Sequence, residues 1–449
     1  MESPLAELWL DPRPVDVETE RLQCEQEGRD LSSVQAEFER LSVSDFTTAE
    51  DVQSFYRLLD TTIALPINNK LASNEPSDLA GILATRADDV RLPSINLSEA
   101  ALLDRLHGAW LGRCVGCLLG KPVEGWRKDK LWPYLKEQGK WPLANYIEFN
   151  SAPSELKDRL GIQRNEFFAD LVDSMPEDDD LNYTTTALAI YEQYGSAFTP
   201  AQVGEFWQKN IPILNTCTAE RIAYRNMDEG VLPPSSATRR NPYREWIGAQ
   251  IRADFWGYVS PGNAERAAEF ALRDASVSHV KNGIYGEMWA AAMVSAAFVT
   301  NDVETAIRAG LAQIPADSRL AAAIEDVLEW KEVDCDYDTA AYRIHELWDE
   351  KREHDWCHTI PNAMIVAIAL LYGEKDFGQT TCMAVQPCFD TDCNGATAGS
   401  VLGAMLGAKA LPVAWTSKLN DTLHTGVSGY ESVSIASMAR KTLELIQRG

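Results

Sequence analysis

Gly108-Ala-Trp-Leu-Gly112-Arg-Cys-Val-Gly116-Cys-Leu-Leu-Gly120 sets a glycine at every fourth position of an apolar run. Gly395, Gly399, Gly403 and Gly407 repeat that spacing near the C-terminal end. Four residues are close to one helical turn, so each run presents a single bare stripe. An interior helical glycine costs about 1 kcal/mol relative to alanine, so eight of them need a packing reason. The same spacing marks dimerising membrane helices, but both runs are too short to span and one carries Arg113 while the other ends near Lys409. The stripes are expected to pack on each other, backbone to backbone. If they run antiparallel, the end of the first helix lies beside the start of the second. Pro122-Val123-Glu124 would then approach Asp390-Thr391-Asp392.

Outward from the stripes the pattern stays helical almost to the C-terminus. Ser98 before Glu99 and the apolar run Ala100–Leu106 predicts a capped helix start. Leu181–Tyr194 carries Ala187, Leu188, Tyr191 and Tyr194 at helical spacing, with Gly195 as its stop. Further helices are expected over Ala264–Ala275, Gly286–Thr300, Val303–Gln313, Arg319–Glu329, Thr339–Lys351, Asn362–Leu371 and Val433–Gln447. Alternating strand patterns are scarce, with Leu143–Phe149 read as a short extended piece. The fold class is all-α. Residues 1–95 differ in being rich in Glu, Asp, Ser and Leu, with helix-like Ser33–Leu41 and Ala49–Leu59 and a turn-prone connector at Ser73–Asp78. They read as a helical N-terminal extension packed on a main domain of residues 96–449.

Composition narrows the function. The chain has 449 residues, 45% of them hydrophobic, with 41 Lys+Arg against 67 Asp+Glu for a net charge of −26. That balance argues against a nucleic acid polymer as partner, because duplex binding rests on Lys and Arg displacing counterions. It leaves room for a small phosphorylated ligand held through divalent cations. Nine cysteines, an odd number lying mostly in apolar runs, suit a reducing compartment rather than a disulfide framework. Met1-Glu2-Ser3-Pro4 lacks the basic-then-apolar layout of a signal peptide, and Met288–Val299 and Ala363–Tyr372 are too short to span a bilayer. A cytoplasmic protein without membrane association is expected; oligomeric state is not legible.

Two acidic runs carry the chemistry. Glu177-Asp178-Asp179-Asp180 follows Pro176 and opens a helix. One acid there is ordinary capping, but four like charges exceed what a cap needs, and a divalent cation would resolve their repulsion. Asp390-Thr391-Asp392-Cys393-Asn394-Gly395 also opens a helix, and its Asp-x-Asp suits hard cations such as Mg²⁺, Mn²⁺ or Ca²⁺. No twelve-residue loop with a terminal Glu follows to make an EF-hand, and no Gly-Lys-Ser/Thr element exists to make a P-loop.

Together the Gly108–Glu124 run, Asp178–Asp180 and Asp390–Gly399 resemble the ADP-ribosylglycohydrolase family, over about residues 100 to 415. The resemblance implies a compact all-α domain with a binuclear Mg²⁺ or Mn²⁺ site at the bottom of a cleft. It implies that Asp179 and Asp180 match the family's paired aspartates, that Asp390 and Asp392 match its C-terminal pair, and that Glu124 matches an early glutamate. Two positions depart from the family pattern. Asp178 stands where Thr is usual and still offers oxygen. Cys393 also stands where Thr is usual and is a soft ligand that hard cations avoid, leaving Asn394 or water to substitute. The implied metal set is therefore Asp178, Asp179, Asp180, Asp390, Asp392 and Cys393.

The implied activity is metal-dependent hydrolysis of an N- or O-glycosidic bond to ribose, on an ADP-ribosylated protein or a small ribosyl substrate. Glu124, Asp179 or Asp180 would serve as base for an activated water. A nucleosidase acting on a free small molecule, or a non-catalytic ligand-binding member, are the alternatives. His279 resembles the family's Ser/Thr-His element and is expected to touch substrate. Arg244 and Arg252 are expected to offset substrate phosphates, although the Asn241–Asp254 segment could equally staple a loop to the core. His354-x-x-x-His358 and the Cys114-x-x-Cys117 pair read as packing, not zinc or redox sites.

Overall fold

The glycine stripes form the axis of the molecule in a computed structural model that describes residues 10–68, 70, 74–88 and 90–448. The readings at Met1–Pro4 and at Ser73 lie outside the described residues. The helix Glu99–Gly120 begins where the Ser98 side chain accepts from the Ala101 amide, and it packs antiparallel against the helix Thr391–Leu406. A Cβ placed on Gly112 would sit 2.1 Å from the Gly399 carbonyl oxygen, and one on Gly116 would sit 1.8 Å from that of Gly395. No side chain fits at those distances, so the stripe is a steric requirement. At the far end the Thr391 hydroxyl donates to the Gly120 carbonyl at 2.9 Å. That bond fixes the end of the first helix against the start of the second, and with it everything that Lys121–Glu124 and Asp390–Cys393 can reach.

Around this axis lie helices that are apolar on all sides. Lys281–Ala297 and Thr359–Tyr372 are buried along their whole lengths, as helices without a polar face must be. Ile435–Arg448 is amphipathic and closes the outer side of Glu99–Gly120, where Trp110 Nε1 donates to Thr442 Oγ1 at 3.1 Å. No helix among the described residues is long and apolar enough to cross a membrane.

One expectation needs correction. Residues 143–149 form no strand; their backbone is held by side chains, with Gln386 accepting from the Leu143 amide and Asp170 from those of Phe149 and Asn150. The strands of the described residues are Thr422–His424 and Ser432–Ser434, paired antiparallel with Leu423 opposite Val433. Three residues are too few for alternation to show in sequence. This hairpin matters for the site, because Met175 bridges to Leu423 and so pins the chain just ahead of Asp178.

In the N-terminal part, Pro14–Gln26, Gln35–Leu41 and Ala49–Thr62 gather Val17, Phe38, Leu41, Phe55, Leu58 and Leu59 into a small apolar cluster of their own. The opposite side of Pro14–Gln26 is polar and buried. Asp16 accepts from the Tyr243 hydroxyl at 2.6 Å, Glu20 pairs with Arg244 at 2.6 Å, Gln23 donates to Glu245 at 2.9 Å, and Glu27 pairs with Arg244 at 2.7 Å.

Candidate metal centre

Asp178 is the N-cap of the helix Asp179–Tyr194, and its Oδ1 accepts from the Asp180 amide at 2.9 Å. Asp180 is the second residue of that helix, fully buried, with Oδ1 2.7 Å from the guanidinium of Arg113. Arg113 is the single charged residue of the first glycine run. It is itself buried, and it also binds Asp254 at 2.7 Å, Thr184 at 2.6 Å and the Ile251 carbonyl at 2.6 Å. Across the bowl, Cys388 and Phe389 turn the chain through φ of 68° and 60°, a region that non-glycine residues enter only when held. They are held by Asn362, whose Oδ1 accepts from the Asp390 amide at 3.1 Å and from the Asn394 side chain at 2.8 Å.

The two acidic runs meet. Cys117, Asp178, Asp180 and Asp392 each bring one ligand atom within 4.8 Å of the others, and Asp390, Asp392 and Cys393 form a second such group. Asp392 belongs to both. Four buried oxygens in these groups accept no hydrogen bond; Asp178 Oδ2 has the Lys121 ammonium at 2.6 Å, whereas Asp180 Oδ2, Asp390 Oδ1 and Asp392 Oδ1 have no partner. A buried polar atom without a partner costs on the order of 1–3 kcal/mol, more when charged, so three together call for a cation. Oxygen donors in such a bowl fit Mg²⁺ or Mn²⁺, and the buried thiols of Cys117 and Cys393 stand within the same two groups.

The electrostatics agree. Burial, then the charges of neighbouring acids, pushes the carboxyls of Asp180 and Asp390 well above the usual range. Asp179, half-buried, is raised to about 6 by desolvation and by Asp178. Glu124 is raised to about 8 by desolvation and by Asp392 and Asp179, although 38% of its side chain remains exposed at the rim, where solvent screens that push. Asp178 runs the other way: burial works against its charge, but the Lys121 ammonium 2.6 Å away holds it below its ordinary value. Lys121 Nζ also lies 2.8 Å from Glu124 and 3.2 Å from Asp392.

Among the expected residues, Asp178, Asp180, Asp390, Asp392 and Cys393 come together, with Asp179 and Glu124 beside them. The substrate-binding set does not join them. Arg244 is buried and engaged by Glu20, Glu27 and the Asn241 carbonyl. Arg252 is buried among Asp274, Glu220 and Glu287. Both are interior counterions with no donor left for a phosphate, and the Asn241–Asp254 segment is a staple on the core. His279 is buried, with Nδ1 against the Ser278 hydroxyl at 2.8 Å, and desolvation followed by the charge of Arg252 keeps it neutral. His354 and His358 pack edge to face, with Trp246 donating to His354. Two residues of the bowl escaped the sequence reading. Cys117 was visible only as half of a C-x-x-C. Lys121 had no signal beyond its place directly after the glycine stripe.

A sequence model described as ADP-ribosylglycohydrolase matches residues 98–448 of the chain. Among solved structures, one titled "ADP-ribosylglycohydrolase-related protein complex" aligns at 19% identity, covering 77% of this chain and 98% of its own, with a TM-score of 0.45. No curated protein matches.

Proposed function

The chain belongs to the ADP-ribosylglycohydrolase family, and from that premise we propose that it is a metal-dependent hydrolase of an N- or O-glycosidic bond to ADP-ribose. The substrate is an ADP-ribosylated side chain or a small ribosyl compound. One observation carries the metal dependence: acids about 210 residues apart in sequence leave three partnerless buried oxygens facing a shared space. A bound Mg²⁺ or Mn²⁺ would supply Lewis acidity and orient the ribose hydroxyls.

The protein's own groups do the remainder. Asp390 and Asp392, with Asp180 and Asp178 beside them, would hold the cation. Arg113 fixes Asp180 in place, and Asn362 fixes the Asp390 loop. Glu124 stands at the exposed rim with a raised proton affinity, where a general base must lie to meet both solvent and substrate. Asp179, its carboxyl raised to about 6 by desolvation and by Asp178, is the second group placed to move a proton. Nine unpaired thiols support a reducing, cytoplasmic setting.

Chelation with EDTA is expected to abolish release of ADP-ribose from ADP-ribosyl-arginine, and Mg²⁺ or Mn²⁺ to restore it. Full turnover by metal-free protein would defeat the mechanism. Turnover of a free nucleoside instead would move the substrate class while leaving the centre intact.

A further inference from the structure

We propose that Lys121 is a built-in monocation of this centre, and that its ammonium takes one cation position so that the bowl accepts one divalent ion, at the Asp390–Asp392–Cys393 side, in place of two. The inference rests on reading the bowl as a metal centre. Lys121 Nζ contacts Asp178 Oδ2 at 2.6 Å and Asp392 Oδ2 at 3.2 Å. Both residues belong to the constellation of Cys117, Asp178, Asp180 and Asp392, so the ammonium occupies the side on which a first metal would bind. A divalent ion on those oxygens would sit about 2.0–2.1 Å from each. The ammonium already lies along the same approach, and two like charges that close repel strongly.

Lys121 is not free to leave. It follows Gly120, whose carbonyl is tied to the Thr391 hydroxyl at 2.9 Å, and it precedes Pro122 in a tight turn over Lys121–Val123. Its side chain is 15% exposed, and the Phe167 ring lies 5.8 Å from Nζ. The glycine stripe therefore places this lysine in the bowl as firmly as it places the aspartates. Asp178 Oδ2 accepts no hydrogen bond but has the lysine ammonium at 2.6 Å, whereas Asp180 Oδ2, Asp390 Oδ1 and Asp392 Oδ1 have no partner, and the last two belong to the Asp390–Asp392–Cys393 group. A single divalent ion would meet them.

The test counts metal. Full-length protein is stripped, dialysed against Mn²⁺, and read by metal analysis and electron paramagnetic resonance. One Mn²⁺ per chain with an isolated six-line signal is expected for the native sequence. For Lys121→Met a second Mn²⁺ and an exchange-coupled signal are expected, doubling the stoichiometry. Lys121→Arg retains the positive charge and is expected to keep the count at one, which holds the test open if Lys121→Met does not fold. Two coupled Mn²⁺ in the native protein would overturn the inference while leaving metal-dependent hydrolysis standing. No bound metal would overturn both. A folded Lys121→Met protein that still takes one Mn²⁺ would also overturn it.

Discussion

Asp392 sits in both ligand groups, with one oxygen on Lys121 and the other without a partner. A capping aspartate and a ligand aspartate differ in what their loss does. Losing a cap lowers stability by about 1 kcal/mol and spares activity. Losing a ligand spares or slightly raises apo stability, because crowded acids separate, and removes the stabilisation that metal brings. For Asp392→Asn we expect turnover to fall by at least about 100-fold, since even outer-shell partners of a metal are worth 10–100-fold. The melting temperature without metal should hold or rise, and the Mg²⁺-induced upshift should vanish. Intact turnover with a lower apo melting point would assign Asp392 a capping role. His354 gives a second prediction at this scale. Desolvation, then the charges of Arg244 and Arg319, lowers its pKa from 6.5 to about 3. The unfolded chain thus binds a proton below pH 6.5 that the folded chain refuses until about pH 3, and stability drains away as pH falls through that window. His354→Gln should flatten the acid limb of the stability profile by about 1.4 kcal/mol per pH unit between pH 6 and 4. An unchanged slope would place the acid sensitivity elsewhere.

At the scale of elements, the contact between Glu99–Gly120 and Thr391–Leu406 decides the site, because it brings Asp392 to Lys121 and Asp178. Gly112→Ala would push a methyl group to 2.1 Å from a backbone carbonyl that cannot yield as a side chain would. Overpacking usually costs about 1–3 kcal/mol, and this contact belongs at or above the top of that range. The loss should appear in metal affinity as well as in the urea midpoint, since parting the helices parts the ligands. A midpoint shift with unchanged Mn²⁺ binding would show that the bowl does not depend on the stripe. The stripe, its antiparallel packing and the meeting of the two acidic runs were legible because each leaves a periodic or clustered mark in the sequence. Lys121, Cys117 and Arg113 were not legible as site residues, since a single Lys, Cys or Arg in an apolar run has no pattern and gains its role only from what folds against it. Arg244 and Arg252 misled for the converse reason: their residue type suits a phosphate. Which arginines face a cleft and which answer interior acids such as Glu20 and Glu220 depends on contacts more than 30 positions apart in sequence.

At the scale of the whole molecule, the N-terminal extension is joined to the family domain through charge. Arg244 lies buried between Glu20 and Glu27, and Arg319 binds both Glu75, from the connector, and Glu245. The excess of acids over bases that makes the chain strongly anionic thus has an interior use, with carboxylates from residues 10–88 neutralising arginines of the domain beneath them. Breaking a buried pair by removing one partner costs about 3–5 kcal/mol, because the other charge is stranded, whereas replacing the whole set by apolar groups can be neutral. Glu20→Gln combined with Glu27→Gln should therefore lower stability by about that amount, and adding Arg244→Met should recover most of it. The metal-induced rise in melting temperature should persist in the triple variant, since neither glutamate nor Arg244 is among the ligands of the bowl. If the paired glutamine variant melts with the native protein, Arg244 is not stranded by their loss and the extension is held on by its apolar contacts. If it falls and Arg244→Met fails to restore it, the glutamates act through Arg29 or Cys24, which touch them as well. Recovery by Arg244→Met alone identifies the buried arginine as the reason that residues 10–68 stay seated on the domain.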